Sequence, residues 1–440
     1  MTAKNQPCGS ITFAAPNIAL LLVVAFVTVL VTTPAQAITD KVLYTFTGMA
    51  DGGTPRASVI TDTKGNIYGT TQLGGDLTCN PPNGCGTVYK LSKTGKETVL
   101  YSFTGGADGA YPYAALLMDA AGNLYGTASA GGGGTGCFGS GCGTVFKLSK
   151  AGKETVLYAF QGGTDGGRPY SALIVDAAGN FYGTAILGGD LSCRTYGCGV
   201  VYKLSKARKQ TVLYSFTGAA DGSYPAFGSL AVDAKGNLYG TTEEGGNLTC
   251  NSPNGCGVVY RLSKTRKQTV LHTFTGPDGE NPEYTVTLDA KGNLYGTAPN
   301  GGANSAGVVF KISNASATKR PGPLFKVLHS FGSGADGALP VAGVSIDPKG
   351  NLWIPTGFGG TFGNGALCKV TSTGKESVFH SFSLEVDGAN PVSAATIIPT
   401  QGLAKPGLPK GFSWSLYSTN TSGSTSKNGL GAGDVVEYRF

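Results

Sequence analysis

The chain has 440 residues, of which 71 are Gly and 22 Pro; only 13% are charged and the formal net charge is +7. With 40% apolar residues it is too hydrophobic and too weakly charged for a disordered protein. The glycines also exclude a mainly helical one, because each Gly inside a helix costs about 1 kcal/mol relative to Ala.

At the N-terminus, Ile18 to Val31 form an uncharged, mostly apolar run, preceded by Lys4 and followed by the small-residue site Ala35-Gln36-Ala37. This pattern reads as a secretory signal peptide over residues 1–37, cleaved after Ala37. The run falls short of the ~20 residues that span a bilayer. Residues 38–440 are therefore expected to be exported, secreted or periplasmic, with no stable membrane anchor.

The segment Val42-Leu43-Tyr44-Thr45-Phe46 returns at Val99, Val156, Val212, Val270, Val327 and Val378. So regular a period, 56 to 58 residues between successive Leu positions, means one repeat architecture over 38–440. Within the first unit, four strands are predicted: Ala57 to Asp62, Asn66 to Thr71, Gly86 to Leu91, and Glu97 to Phe103. Each is rich in Val, Ile, Tyr, Phe and Thr and is bounded by turn residues. The junction Asp62-Thr63-Lys64-Gly65-Asn66, repeated in later units, is a hairpin turn. Four antiparallel strands repeated seven times predict an all-β, seven-bladed β-propeller. The last unit supplies Pro391 to Ile398, Trp414 to Thr419, and Val435 to Phe440. Its outer strand is expected from the other end of the chain, Lys41 to Phe46, which would remove a free edge.

Eight cysteines form close pairs: Cys79 with Cys85, Cys137 with Cys142, Cys193 with Cys198, and Cys250 with Cys256. In an exported chain these spacings read as small disulfide loops. Zinc would want a second pair or a His nearby, and His272, His329 and His380 lie elsewhere in the repeat. Cys368 stands in the slot of Tyr89, so a buried, unpaired thiol is expected there.

The motifs Gly122 to Thr127, Gly131-Gly132 and Gly143 to Leu148 resemble the GloVer tandem repeat of exported bacterial proteins. The resemblance covers residues 41 to about 383 and, more weakly, the seventh unit. It implies export and a propeller but brings no assigned activity or catalytic residues. A shorter stretch, Asn351 to Thr356, is similar to the repeats of propeller lyases that open cyclic esters, whose His and carboxylates lie on the channel face.

The predicted innermost strands, such as Ser58-Val59-Ile60, Ala115-Leu116-Leu117 and Thr285-Val286-Thr287, carry no ionisable group except the Asp at the hairpin end. Channel metal chemistry needs several converging ligands, so no metal or cofactor is expected. The repeated Asp-Gly pairs, from Asp51-Gly52 to Asp387-Gly388, offer one carboxylate per loop, too few for calcium, and read as turn structure. Lys and Arg gather on the third strands and their hairpins, a cationic rim that reads as solvated hairpin tips. Export and the lack of a basic groove with interleaved aromatics disfavour nucleic acid.

On the opposite face, blade four has Glu243-Glu244 where other units have Gln72-Leu73 or Ser129-Ala130, and the adjoining loop has Glu280 and Glu283. These four carboxylates are the candidate site. The sequence thus points to a monomeric binding or scaffold module for an extracellular polysaccharide or protein. The alternative is a lyase or glycoside hydrolase working from this carboxylate cluster.

Overall fold

The computed structural model describes residues 39–440 apart from 226, 318–321, 333, 384, 385, 387, 395, 400–413, 423, 424, 427, 428, 431 and 440. The signal-peptide segment and Phe440 lie outside the described residues. Among the described residues there is no helix.

In the first blade Ile60–Thr61, Ile67–Thr71, Thr87–Leu91 and Glu97–Ser102 pair antiparallel in that order, and four more blades repeat the pattern. The sixth blade adds a short strand, Ala338–Pro340, beside Leu352–Phe358. In the seventh, Trp414–Ser422 pairs with Asp434–Arg439, and the latter pairs with Thr39–Thr45. The first strand among the described residues is therefore the outer strand of the last blade, with Val42 opposite Val436.

The first strand of each blade is shorter than its β-propensity predicts. At the ring closure its leading residues bond to the neighbouring blade rather than to their own sheet. Ser58 Oγ donates to the Ala394 carbonyl at 2.9 Å, and Thr396 Oγ1 to the Val59 carbonyl at 2.7 Å, across the ring closure. The Thr of four of the five Tyr-Gly-Thr motifs supplies a second tie: Thr70 donates to Ala114 O, Thr127 to Ser171 O, Thr241 to Tyr284 O and Thr297 to Ala342 O. Buried carbonyls that lack a ladder partner are satisfied this way.

The Gly of that motif answers a steric demand. Gly69 lies opposite Tyr89, and a Cβ on it would stand 2.4 Å from the Tyr89 hydroxyl. Gly183 with Tyr202 and Gly240 with Tyr260 repeat the arrangement. In five of the blades the Phe that follows the preceding outer strand then meets this ring edge-on, as Phe46 meets Tyr89 at 4.9 Å and Phe160 meets Tyr202 at 5.1 Å. Such aromatic contacts add to the gain from burial alone. Every ring in this chain of contacts is fully buried.

All four disulfides form as the spacing predicts, with Cα–Cα distances of 5.1 to 5.9 Å. They point to an oxidising compartment. No helix among the described residues is long and apolar enough to cross a membrane.

Candidate functional site at the channel mouth

The turn aspartates have their bonding capacity filled by the fold. Asp62 accepts from the Lys64 and Asn66 amides, Asn66 Nδ2 and the Tyr68 hydroxyl. Its partial burial opposes ionisation, but these donors outweigh it and hold the carboxyl below its ordinary value. In the Asp-Gly loops, Asp51 accepts from the Thr47 amide and hydroxyl and from the Tyr44 hydroxyl. His272 takes the Tyr role toward Asp278, with Nε2 at 2.8 Å from Oδ2. These loops are structural. The third-strand lysines lie over the aromatic ring of the adjacent strand, as Lys90 over Tyr68 at 5.7 Å and Lys369 over Trp353 at 5.7 Å.

The residue after, or just beyond, each blade-opening Pro rings the channel mouth. Arg56, Tyr113, Phe227 and Tyr284 line a cavity of about 220 Å³ there, with Val341 and Val392 opposite. Tyr113, Tyr170 and Phe227, from consecutive blades, have ring centroids 5.1 to 5.3 Å apart. The Arg56 guanidinium sits 5.3 Å from the Tyr113 ring, donates to its hydroxyl at 3.1 Å and is held by Gln72 Oε1 at 2.7 Å. Deeper in, the wall is small: Ala115, Ala172, Ser229, Gly343 and Ala394.

The four predicted carboxylates separate into three settings. Glu244 pairs with Arg194, whose Nη1 lies 2.6 Å away and whose guanidinium stacks 4.9 Å from the Tyr224 ring. Glu280 lies beside the Cys250–Cys256 disulfide, and those sulfurs, bonded to each other, are not thiolate ligands. Glu243 and Glu283 face each other across blades four and five. Burial raises Glu243, with Glu244 adding and Arg194 opposing. Burial, followed by the Glu243 charge, pushes Glu283 up to about 7 against an opposing hydrogen bond from Tyr284. Tyr113 and Tyr284 are also raised, first by burial, and the Glu283 charge adds to both.

The channel expectation is corrected at one level. The inner strands are free of ionisable side chains, but the mouth just above them carries Arg56, and Glu283 borders it through its hydrogen bond with Tyr284. In the sequence this position varies from unit to unit, reading Arg56, Tyr113, Tyr170, Phe227, Glu283, Val341 and Val392, but nothing local shows that it faces the channel.

A model of the Gloeobacter/Verrucomicrobia repeat matches residues 28–196 and 192–430, and the chain belongs to this repeat family. No curated protein matches it. Similar solved structures include a gluconolactonase from Xanthomonas campestris, at 13% identity and TM-score 0.40 over 91% of this chain and 89% of that one. A luciferin-regenerating enzyme, at 12% identity and TM-score 0.42, covers 91% and 95%. A protein of unknown function from Dyadobacter fermentans, at 10% identity and TM-score 0.43, covers 92% and 99%.

Proposed function

We propose that this repeat protein is an exported binding module that holds an extracellular polysaccharide at its channel mouth. The observation that carries the reading is the cup of Tyr113, Tyr170 and Phe227 beside Arg56, around a cavity that narrows onto small residues. A concavity lined by aromatic and small side chains with a few placed polar groups is a form that small-ligand sites take. Aromatic faces suit the C–H faces of sugar rings, while Arg56, pre-positioned by Gln72, can donate to a carboxylate or hydroxyl.

Retention of the protein on a panel of immobilised polysaccharides tests this. Tyr170→Ala and Arg56→Ala should each lower retention at least about tenfold, the loss of 1.4 kcal/mol or more. Unchanged retention in variants that keep the wild-type melting temperature would sink the assignment.

One observation favours a catalytic second reading: Glu283, raised to about 7 beside Glu243, has the protonation of a general acid near neutral pH. Polysaccharide cleavage abolished by Glu283→Gln, with retention preserved, would move the assignment to a lyase or hydrolase.

A further inference from the structure

The outer strands of blades three and four open with a side chain that reaches the preceding blade. It is Gln210 or Gln268, opposite Leu204 and Leu262 in the hairpin register. Gln210 Nε2 donates to the Asp165 carbonyl at 2.9 Å, and Gln268 Nε2 to the Asp221 carbonyl at 3.2 Å. Both carbonyls belong to the Asp-Gly loop of the preceding blade.

In blades one and two the same position, opposite Leu91 and Leu148, holds Glu97 and Glu154. A carboxylate has no hydrogen to donate. Each Glu buries its Oε1 with no hydrogen-bond partner. The groups facing Glu97 are the Asp51 carboxylate and the hydroxyls of Tyr44 and Tyr89; those facing Glu154 are the Asp108 carboxylate and the Tyr101 hydroxyl. Among the described residues no cation acts on either Glu. Asp51 and Asp108 already accept from a Tyr hydroxyl and from a Thr amide and hydroxyl. Blade six carries a third Glu at this position, Glu376, but there the Cys368 Sγ already donates to the Asp336 carbonyl at 3.2 Å.

We propose that Glu97 and Glu154 are proton-operated latches between blades. As carboxylic acids they donate to the backbone carbonyl of the preceding Asp-Gly loop, as Gln210 and Gln268 do. As carboxylates they release it and stand beside the side chain of Asp51 or Asp108. The two joints flanking blade one, including the joint that closes the ring, therefore hold in acid and loosen as solvent removes the proton.

Burial, with the neighbouring Asp charge second, pushes both Glu residues up to about 7 from an ordinary 4.5. A carboxyl raised in the folded state contributes stability that is fully present below the unfolded value. That contribution is lost as pH rises through about 7.

Melting temperatures of the purified protein at pH 5 and pH 8 test the proposal. The wild type should melt several degrees lower at pH 8. The Glu97→Gln, Glu154→Gln variant, which installs the side chain blades three and four already use, should lose most of that fall. Other titrating groups are common to both proteins, so the difference isolates the two carboxyls. Infrared difference spectra between pH 5 and pH 8 supply a second readout, because the protonated-carboxyl C=O band should shrink in the variant. An equal fall in both proteins, or an unchanged band, overturns the latch.

Discussion

Blades four and six fill the same cross-strand space in opposite ways. In blade four Gly240 on the second strand faces Tyr260 on the third, and the Tyr ring lies over the bare Cα. In blade six the facing pair is Ile354 and Cys368, both fully buried. The large residue has moved to the second strand and the small one to the third. What this part of the repeat preserves is the summed volume between two strands, because interiors are packed too densely for either partner to vary alone. Cys368 is thereby explained as the small half of a reversed pair. Burial raises its thiol well above the ordinary value, so it is a packing residue and a poor nucleophile.

The largest effect is expected where the ring departs furthest from a blade built of contiguous chain. Blade seven takes its outer strand from residues 39–45, and Thr419 Oγ1 and Thr396 Oγ1 tie it to blade one. Deleting residues 38–47 removes that strand and exposes the edge of Asp434–Arg439. The melting temperature should fall by more than about 10 °C, or folding should fail; a calorimetric transition within a few degrees of the wild type would show that closure lies elsewhere.

The reversed pair comes next. Ile354→Gly leaves a cavity and should cost about 3 to 5 kcal/mol, while Cys368→Tyr overpacks and should cost about 1 to 3. Together they rebuild the blade-four arrangement. Denaturant titrations of the four proteins should therefore give a double variant more stable than the sum of the singles by at least about 1 kcal/mol. Additive costs would mean that volume is not what the pair conserves.

The disulfides should give the smallest effect. Blades one to four bridge their second-to-third-strand loops, whereas in blades five and six Gly302 to Gly307 and Gly360 to Gly365 make the same passage without a bridge. Closing so short a loop is worth about 2 kcal/mol at most on chain entropy. A Cys193→Ser, Cys198→Ser variant should melt only a few degrees lower, with its propeller circular dichroism intact.

Much of this was readable along the chain. The 57-residue period, the Asp-x-x-Gly-Asn turns and the Cys spacings are local patterns, and strand order and disulfides followed from them. The closing strand was legible too, because seven blades of four strands need a partner for Val435 to Phe440. The channel mouth was not. The residue after Pro gave no local sign of pointing inward, since its direction depends on how neighbouring blades draw the inner strand toward them through bonds such as Thr70 to Ala114. The carboxylates of blades four and five looked equivalent on the same ground. Only packing distinguished Glu244, held by Arg194, from Glu283, buried beside Glu243.

By itself, then, the sequence determined the repeat, the blade and the closure, because strand patterning and turn chemistry act over a few residues and each unit states them again. The tertiary structure alone decided which side chains share the channel mouth and which carboxyls are pushed up to about 7. Those properties come from desolvation and from contacts between residues a whole blade apart, and neither has a local signature.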